Sequence, residues 1–418
     1  MPNFRWICIV LIFNTLALFA KEEESYAIGS NPAMNILVGT GALGRRLGIK
    51  PETGIRLGGL WIVNGNTIPI GGSGVDKWTA NNLLILDLYL DMEKMAHWKG
   101  ATFGIEFLQF NGQNTNAGTG AVQGFNSIIA SPPFERTELY QAWYRQSFND
   151  VLFIRIGKTV ASYDFNNVVR AFIYANPAFN ISSLSGLLYT PIFVNSSLLG
   201  VLPAYYDSAY GITITAAVTK DRYISFAAYD GNLARGIPTG ERGPQFNGYY
   251  FYIGEAGIGW ELGKEKKPGK LGVGGWRQTG VLTASNDLRE RGTEGIYAFA
   301  SQRLWYHNWG KDNSGISAFC QYGINDSKTL TMNQYIGFGA TAFGLTRLKD
   351  SFGWGIAIAR LNPNLYPRKW EPMFQAYYQA YLFASNYLQP TLTFIPKPGS
   401  ISDASATWAG TLQLTSSF

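Results

Sequence analysis

The chain is poor in the residues that build metal centres, disulfide frameworks and catalytic triads. It has two histidines in 418 residues, His97 and His307. That is too few for a multi-histidine metal site, and they are too isolated for a triad; no G-x-S-x-G elbow accompanies them. Of the two cysteines, Cys8 lies in the N-terminal apolar stretch. Only Cys320 would remain after export, which excludes an internal disulfide and a cysteine-based metal site. Charged residues make up 15% of the chain, well below the roughly 25% of soluble domains. Long apolar runs are missing too: mean hydropathy is -0.04, and beyond the N-terminus nothing approaches the ~20 apolar residues of a spanning helix. The net charge of +6 has no cluster richer than KEKKPGK at 264–270. With Pro and Gly inside it, that segment reads as a solvated turn, not a nucleic-acid-binding patch. Glu135 and Glu138 are a carboxylate pair of the type glycosidases use, but their separation is local. No enzyme activity, cofactor, metal or nucleic-acid partner is expected.

What is present points to export. Arg5 precedes the apolar stretch WICIVLIFNTLALFA at 6–20, and KEEES follows, the charged–apolar–polar order of a secretory leader. Cleavage is expected after Ala20, with Ala27 the alternative. The chain then divides into a leader, 1–20, and one domain, 21–418.

From about residue 35 onward, stretches of roughly 8–12 residues rich in β-branched and aromatic side chains alternate with Gly/Asn/Asp/Pro clusters. Strand side chains alternate with period 2. In LLILDLYLD (83–91), Leu84, Leu86, Leu88 and Leu90 therefore share one face, and Asp87, Tyr89 and Asp91 the other. VLFIRIG (151–157) sets Leu152, Ile154 and Ile156 against Arg155, and Ile212 and Ile214 oppose Thr213 and Thr215. Alternation of this kind cancels in the average hydropathy, as it does in a transmembrane barrel. Trp98, Phe103, Trp143, Trp260, Trp276, Trp305, Trp354 and Trp408 stand near segment ends, as interfacial aromatic girdles require. The fold class expected is an all-β transmembrane antiparallel barrel. After the leader, roughly 20–25 residues per strand with its share of loop give sixteen strands, with eighteen the next even number that fits.

The last stretch, TWAGTLQLTSSF (407–418), puts Trp408, Leu412, Leu414 and Phe418 on one face. A final strand ending in Phe is similar to the signal read by the outer-membrane barrel-assembly machinery, so Phe418 is assigned as an assembly signal.

Several stretches together resemble the carbohydrate-selective, OprB-type porin family. They are DLYLDMEKMAHWKGATFGIEFLQFNG (87–112), LYQAWYRQSFNDVLFIRIGKTVASYDF (139–165), FVNSS (193–197), LGVGGWRQTG (271–280), GIYAFASQRLW (295–305) and YYQAYLFASNYLQPTLTFIPKPG (377–399). The most specific set is Trp143, Tyr144, Gln146, Arg155, Ile156, Gly157 and Lys158. The resemblance implies a sixteen-stranded monomer or weak homo-oligomer in the outer membrane, with a lumen narrowed by charged and polar side chains. Gln141 and Arg145 stand where the family commonly carries acidic residues. This wall therefore has up to two fewer negative charges and one more positive charge.

A channel selects by width and wall chemistry. The expected partners are outer-membrane lipid and small sugars or other hydrophilic solutes. Charges are far cheaper in the lumen than on the lipid face, where mid-membrane Arg or Lys costs about 2–4 kcal/mol. Asp87, Tyr89, Asp91, Glu106, Gln141, Trp143, Arg145 and Arg155 are therefore the constriction candidates. The assignment in the fourth strand takes Tyr140, Ala142 and Tyr144 as its lipid face. With both signs present, opposed charges across the lumen are expected. Lys158 and Asp164 are expected to pack the loop that follows. The alternative reading is an exported β-rich surface or ligand-binding protein without a channel.

Overall fold

The computed structural model describes residues 38–126, 128, 135–149, 151–166, 187–188, 207–235, 243–312 and 314–418; the leader and 193–197 lie outside them. Sixteen strands follow the alternating stretches. The first eight are β1 (Ile55–Ile70), β2 (Trp78–Asp91), β3 (Ala101–Gly112), β4 (Arg136–Phe148), β5 (Leu152–Thr159), β6 (Ala209–Thr219), β7 (Arg222–Asp230) and β8 (Tyr250–Leu262). The rest are β9 (Lys267–Thr283), β10 (Arg289–Tyr306), β11 (Gly315–Asn325), β12 (Met332–Phe343), β13 (Ser351–Leu361), β14 (Trp370–Phe383), β15 (Asn386–Ile395) and β16 (Thr407–Ser417). Each pairs antiparallel with its sequence neighbours, and β1 pairs with β16, so the sheet closes on itself. A closed ring leaves no edge of unpaired N–H and C=O groups, the condition for a sheet to sit in lipid. No described helix is long and apolar enough to cross a membrane.

The two faces separate as period 2 dictates. In β2, Asn81, Leu83, Ile85 and Asp87 are buried toward the interior, and Leu84, Leu86 and Leu88 turn outward. In β6, Thr213 and Thr215 point in and Ile214 points out. Ile214, Phe226, Val273, Ile296, Phe352, Leu392 and Leu412 are among many large apolar side chains left exposed. Apolar exposure around a whole barrel is surface that lipid covers. Trp98, Trp305 and Trp354 form part of an exposed aromatic girdle at one end, Trp78 and Trp370 at the other. Two girdle assignments are corrected: Trp143 and Trp276 are buried and point inward, because nearness to a segment end does not fix the face. The 264–270 segment is only half a turn. Lys267 opens β9, and Lys270 is buried on the inner face.

The barrel has a short-turn end and a long-loop end. β4–β5, β6–β7, β8–β9 and β14–β15 are joined by two to four residues at the first, and the segments after β3, β5 and β7 span 113–135, 160–208 and 231–249 at the second. The chain closes at the short-turn end. Gly59 N donates to Phe418 O at 2.8 Å and Phe418 N to Gly59 O at 2.9 Å, and Thr40 N also reaches Phe418 O. The Phe418 ring lies over Gly59, where a Cβ would fall 2.7 Å from it.

A second close approach recurs on the inner wall. Inward rings lie flat on a glycine directly opposite on the next strand: Trp143 on Gly104, Tyr229 on Gly211, Tyr223 on Gly257, Phe299 on Gly272 and Tyr297 on Gly274. A ring needs the missing Cβ to lie against the sheet. These aromatics therefore clad the wall rather than project into the bore.

Candidate constriction in the lumen

Register brings the sequence candidates onto one wall, β2 to β5. Asp87 faces Glu106, and Glu106 faces Gln141. Two residues along, Tyr89 and Trp143 flank Gly104, with ring centroids 6.3 Å apart. Two further along, Asp91, Thr102, Arg145 and Arg155 form a third row. At about 3.4 Å per residue, the Asp87–Glu106 row and the row that carries Arg145 and Arg155 beside Asp91 stand roughly 14 Å apart. The expectation of charges opposed across the lumen is thus corrected: the strands that carry them are ring neighbours, so both signs share one wall.

Most of these groups are already partnered. Arg56 and Asp87 form an ion pair on adjacent strands. Glu106 accepts from Gln141 Nε2 at 2.7 Å, and Gln141 Oε1 accepts from Thr159 Oγ1 and from Val160 N. Arg155 donates to Asp164 at 2.5 Å and to Val160 O, and lies 5.8 Å from the Trp143 ring centroid. Arg155 therefore fastens the start of the loop after β5. Lys158 Nζ donates to Leu139 O. Asp91 caps the short helix Met92–Ala96 by accepting from Glu93 N and Lys94 N, a common use of Asp at a helix start. Its carboxylate is committed to the short-turn end.

Tyr140 departs from the expected lipid face. The β3–β4 register slips between Glu106 and Phe107, whose partners are Gln141 and Leu139. The extra residue is a bulge, which turns Tyr140 inward beside Gln141. There it joins Leu60, Ile62, Leu83, Ile85, Leu108, Phe110, Ile128 and Val160 in a buried cluster.

Two loops from the long-loop end are tied inside the barrel by wall residues that the candidate set lacks. Glu371 on β14 accepts from Val122 N at 2.9 Å, Gln123 N at 2.7 Å and Gly399 N at 2.5 Å. Gln375, also on β14, donates to Phe125 O and accepts from Leu188 N. On the β1–β2 side, Asn64 and Asn66 hold Asn126, and Asn81 holds Ile128 O. Across the ring, Glu255 on β8 accepts from Tyr223 OH, Tyr297 OH and Asn166 N at 2.5–2.7 Å. The loop after β5 thus binds the wall at β5, β8 and β14, and the loop after β3 at β14, β1 and β2. Phe125, Phe165 and Leu187 from these loops pack with inner-wall rings. A lone Glu in YFYIGEAGIGW or WEPMF, inward by period 2, was the available sequence signal.

The family model described as carbohydrate-selective porin, OprB family, matches residues 80–418. Porin B of Pseudomonas aeruginosa is 23% identical over 366 residues, covering 76% of this chain and 77% of that protein. The high-pH structure of Pseudomonas putida OprB superposes with a TM-score of 0.75 at 18% identity, covering 90% of this chain and 96% of that one. The low-pH structure gives 0.55 at 16% identity, covering 92% and 99%. At these identities the structural likeness speaks for the fold.

Proposed function

The chain belongs to the carbohydrate-selective porin, OprB family, and on that premise we propose that it is an outer-membrane channel through which small hydrophilic solutes, sugars above all, diffuse passively. The observation that carries this reading is the tethering of two loops inside the barrel by Glu255, Glu371 and Gln375. A sixteen-stranded barrel encloses an aqueous lumen; inward loops reduce its bore toward the size of a sugar. Tyr89 and Arg145, the partly open members of the β2–β5 set, supply an aromatic face and a directional partner along one side of the path, and Asp87, Glu106, Gln141, Trp143 and Arg155, buried and partnered, fix the wall behind them. Asp91 completes the set at the short-turn end. Binding stays weak because a tight site would halt flux.

The chain acts as a conduit rather than an enzyme. Residues 1–20 serve as an export leader, the termini and short turns face the periplasm, the assembly machinery reads the Phe418 strand, and the product is a monomer or weak homo-oligomer. Planar-bilayer recording on the purified mature protein tests the reading. The expected result is stepwise conductance reduced reversibly by sugars. A folded barrel without conductance would favour an exported surface protein instead, and conductance indifferent to a sugar panel would move the solute class elsewhere.

A further inference from the structure

The stretch LGVGGWRQTG (271–280) turns only part of itself to the lumen. Gly272, Gly274, Trp276 and Gln278 face inward; Val273, Gly275 and Arg277 face outward, toward lipid. Gly275 lies in one cross-strand row with Phe226, Gly254, Ile296 and Ile324. Phe226 and Ile296 stand exposed in that row, and the two glycines between them leave the sheet bare. The result is a groove of about 600 Å³ in the outer wall, within the roughly 300–1,000 Å³ of ligand sites.

These glycines differ from the five on the inner wall, where a ring fills the place of each missing Cβ. Beyond its chain neighbours, a Cβ at Gly275 would come no closer than 3.5 Å to any atom, and one at Gly254 no closer than 3.8 Å. No described side chain covers this floor. The next row toward the long-loop end is charged. Arg277 stands between Tyr252 and Glu294, and Asp326 joins them at the edge of the groove. Arg277 and Glu294 are 69% and 66% exposed and 3.5 Å apart, an ion pair too weak to keep Arg277 from another partner. Arg291 stands exposed further toward the same end. On the short-turn side, Trp260 Nε1 donates to Gln302 Oε1 across Gly269 on the outer face. Gly269 and Arg277 are about 27 Å apart along β9, roughly 20 Å of membrane at the usual strand tilt, so Arg277 sits at the rim of an apolar band of about 25 Å.

We propose that this groove seats one phosphate-bearing lipid, with an acyl chain along Gly254 and Gly275 and the phosphate on Arg277. A methylene chain laid on the bare floor gains close packing contacts that the barrel's own side chains do not supply. A guanidinium binds phosphate through two parallel N–H donors. Glu294 and Asp326 make the rest of the row acidic, so Arg277 is the place in it for the phosphate. The inference rests on the outer-membrane reading and is independent of which solute crosses.

The test is native mass spectrometry of the mature barrel, titrated in detergent with dioleoylphosphatidylglycerol or with dioleoylglycerol, which has the same chains and no phosphate. Wild type is expected to hold one phosphatidylglycerol in preference to dioleoylglycerol. Arg277→Gln is expected to raise the apparent dissociation constant about 5-fold, the worth of one cationic side chain at an anionic membrane surface. Gly275→Leu fills the floor and is expected to raise it at least as far; Gly254→Leu carries the test if Gly275→Leu fails to assemble. Conductance in planar bilayers stays as in wild type, because none of these side chains reaches the lumen. Wild-type affinity in the arginine and glycine variants, or equal uptake of dioleoylglycerol, overturns the site and leaves the channel standing. A wild-type dimer that Gly275→Leu converts to monomer with lipid uptake unchanged also overturns it, and assigns the groove to a second copy of the chain. A wild-type barrel that does not float with phosphatidylglycerol vesicles overturns the site together with the membrane reading.

Discussion

At the scale of the residue, Arg155 is the informative position. It is buried on the inner wall, ion-paired to Asp164, and bonded to Val160 O where the loop after β5 begins. Arg155→Ala is expected to raise ion conductance and to weaken sugar block by roughly 1–2 kcal/mol. If it acts by holding the loop, Asp164→Ala reproduces much of the effect and the double variant adds little. Full additivity in single-channel recordings would instead assign Arg155 a direct part in the path. Glu371→Gln should loosen the second tether, since the carboxylate collects three backbone N–H groups on two acceptor oxygens and an amide offers only one. The expected signature is greater open-channel noise with unchanged assembly. Period 2 made the inward-facing charges of β2 to β5 legible in the sequence. It did not reveal their partners or the tethers elsewhere on the wall, because Arg56 lies 31 residues from Asp87 and Gln123 lies 248 from Glu371 on β14. Separations of that size leave no local trace.

At the scale of the element, nearness to a segment end put Trp143 and Trp276 on the wrong face, whereas period 2 assigned inner and outer faces correctly wherever the strand was regular. β4 is the exception, because its bulge adds one residue without a glycine to mark it and reverses the face of Tyr140. The final strand shows why a terminal aromatic can matter for assembly. Phe418 makes the last reciprocal hydrogen-bond pair with β1 and lays its ring on Gly59. Deleting Phe418 is expected to lower the folded, heat-modifiable fraction in outer membranes. Gly59→Val should do the same with the terminus intact, because a Cβ there would stand 2.5 Å from Ile85 O and 2.7 Å from the Phe418 ring. Normal assembly of both variants at native expression would separate Phe418 from barrel closure.

At the scale of the whole molecule, a closed barrel with an even number of strands follows from composition and spacing, which left sixteen and eighteen both open; the structure has sixteen. Loop placement does not follow from them, because inward folding depends on wall carboxylates and amides meeting backbone N–H groups far away in sequence. The export reading has its own check. N-terminal sequencing of the outer-membrane form should begin at Lys21, or at Ile28 if the alternative site is used; material that starts at Met1 would refute removal of the leader.

The rings that lie on glycines carry a consequence for how such a pore can change over generations. Adding one methyl at Gly272 or Gly274 would put a Cβ 2.3 Å from the Phe299 or Tyr297 ring. The ring must then swing off the sheet into the bore. Neither the lipid face nor any charge changes, yet Gly272→Ala, where the added Cβ meets only the Phe299 ring, is expected to lower conductance and to slow the larger solutes first. Permeability is therefore open to adjustment by single-nucleotide steps at positions that bear no side chain. A population under pressure to exclude a toxic solute has a graded route to a tighter envelope that leaves the folding code of the barrel almost untouched.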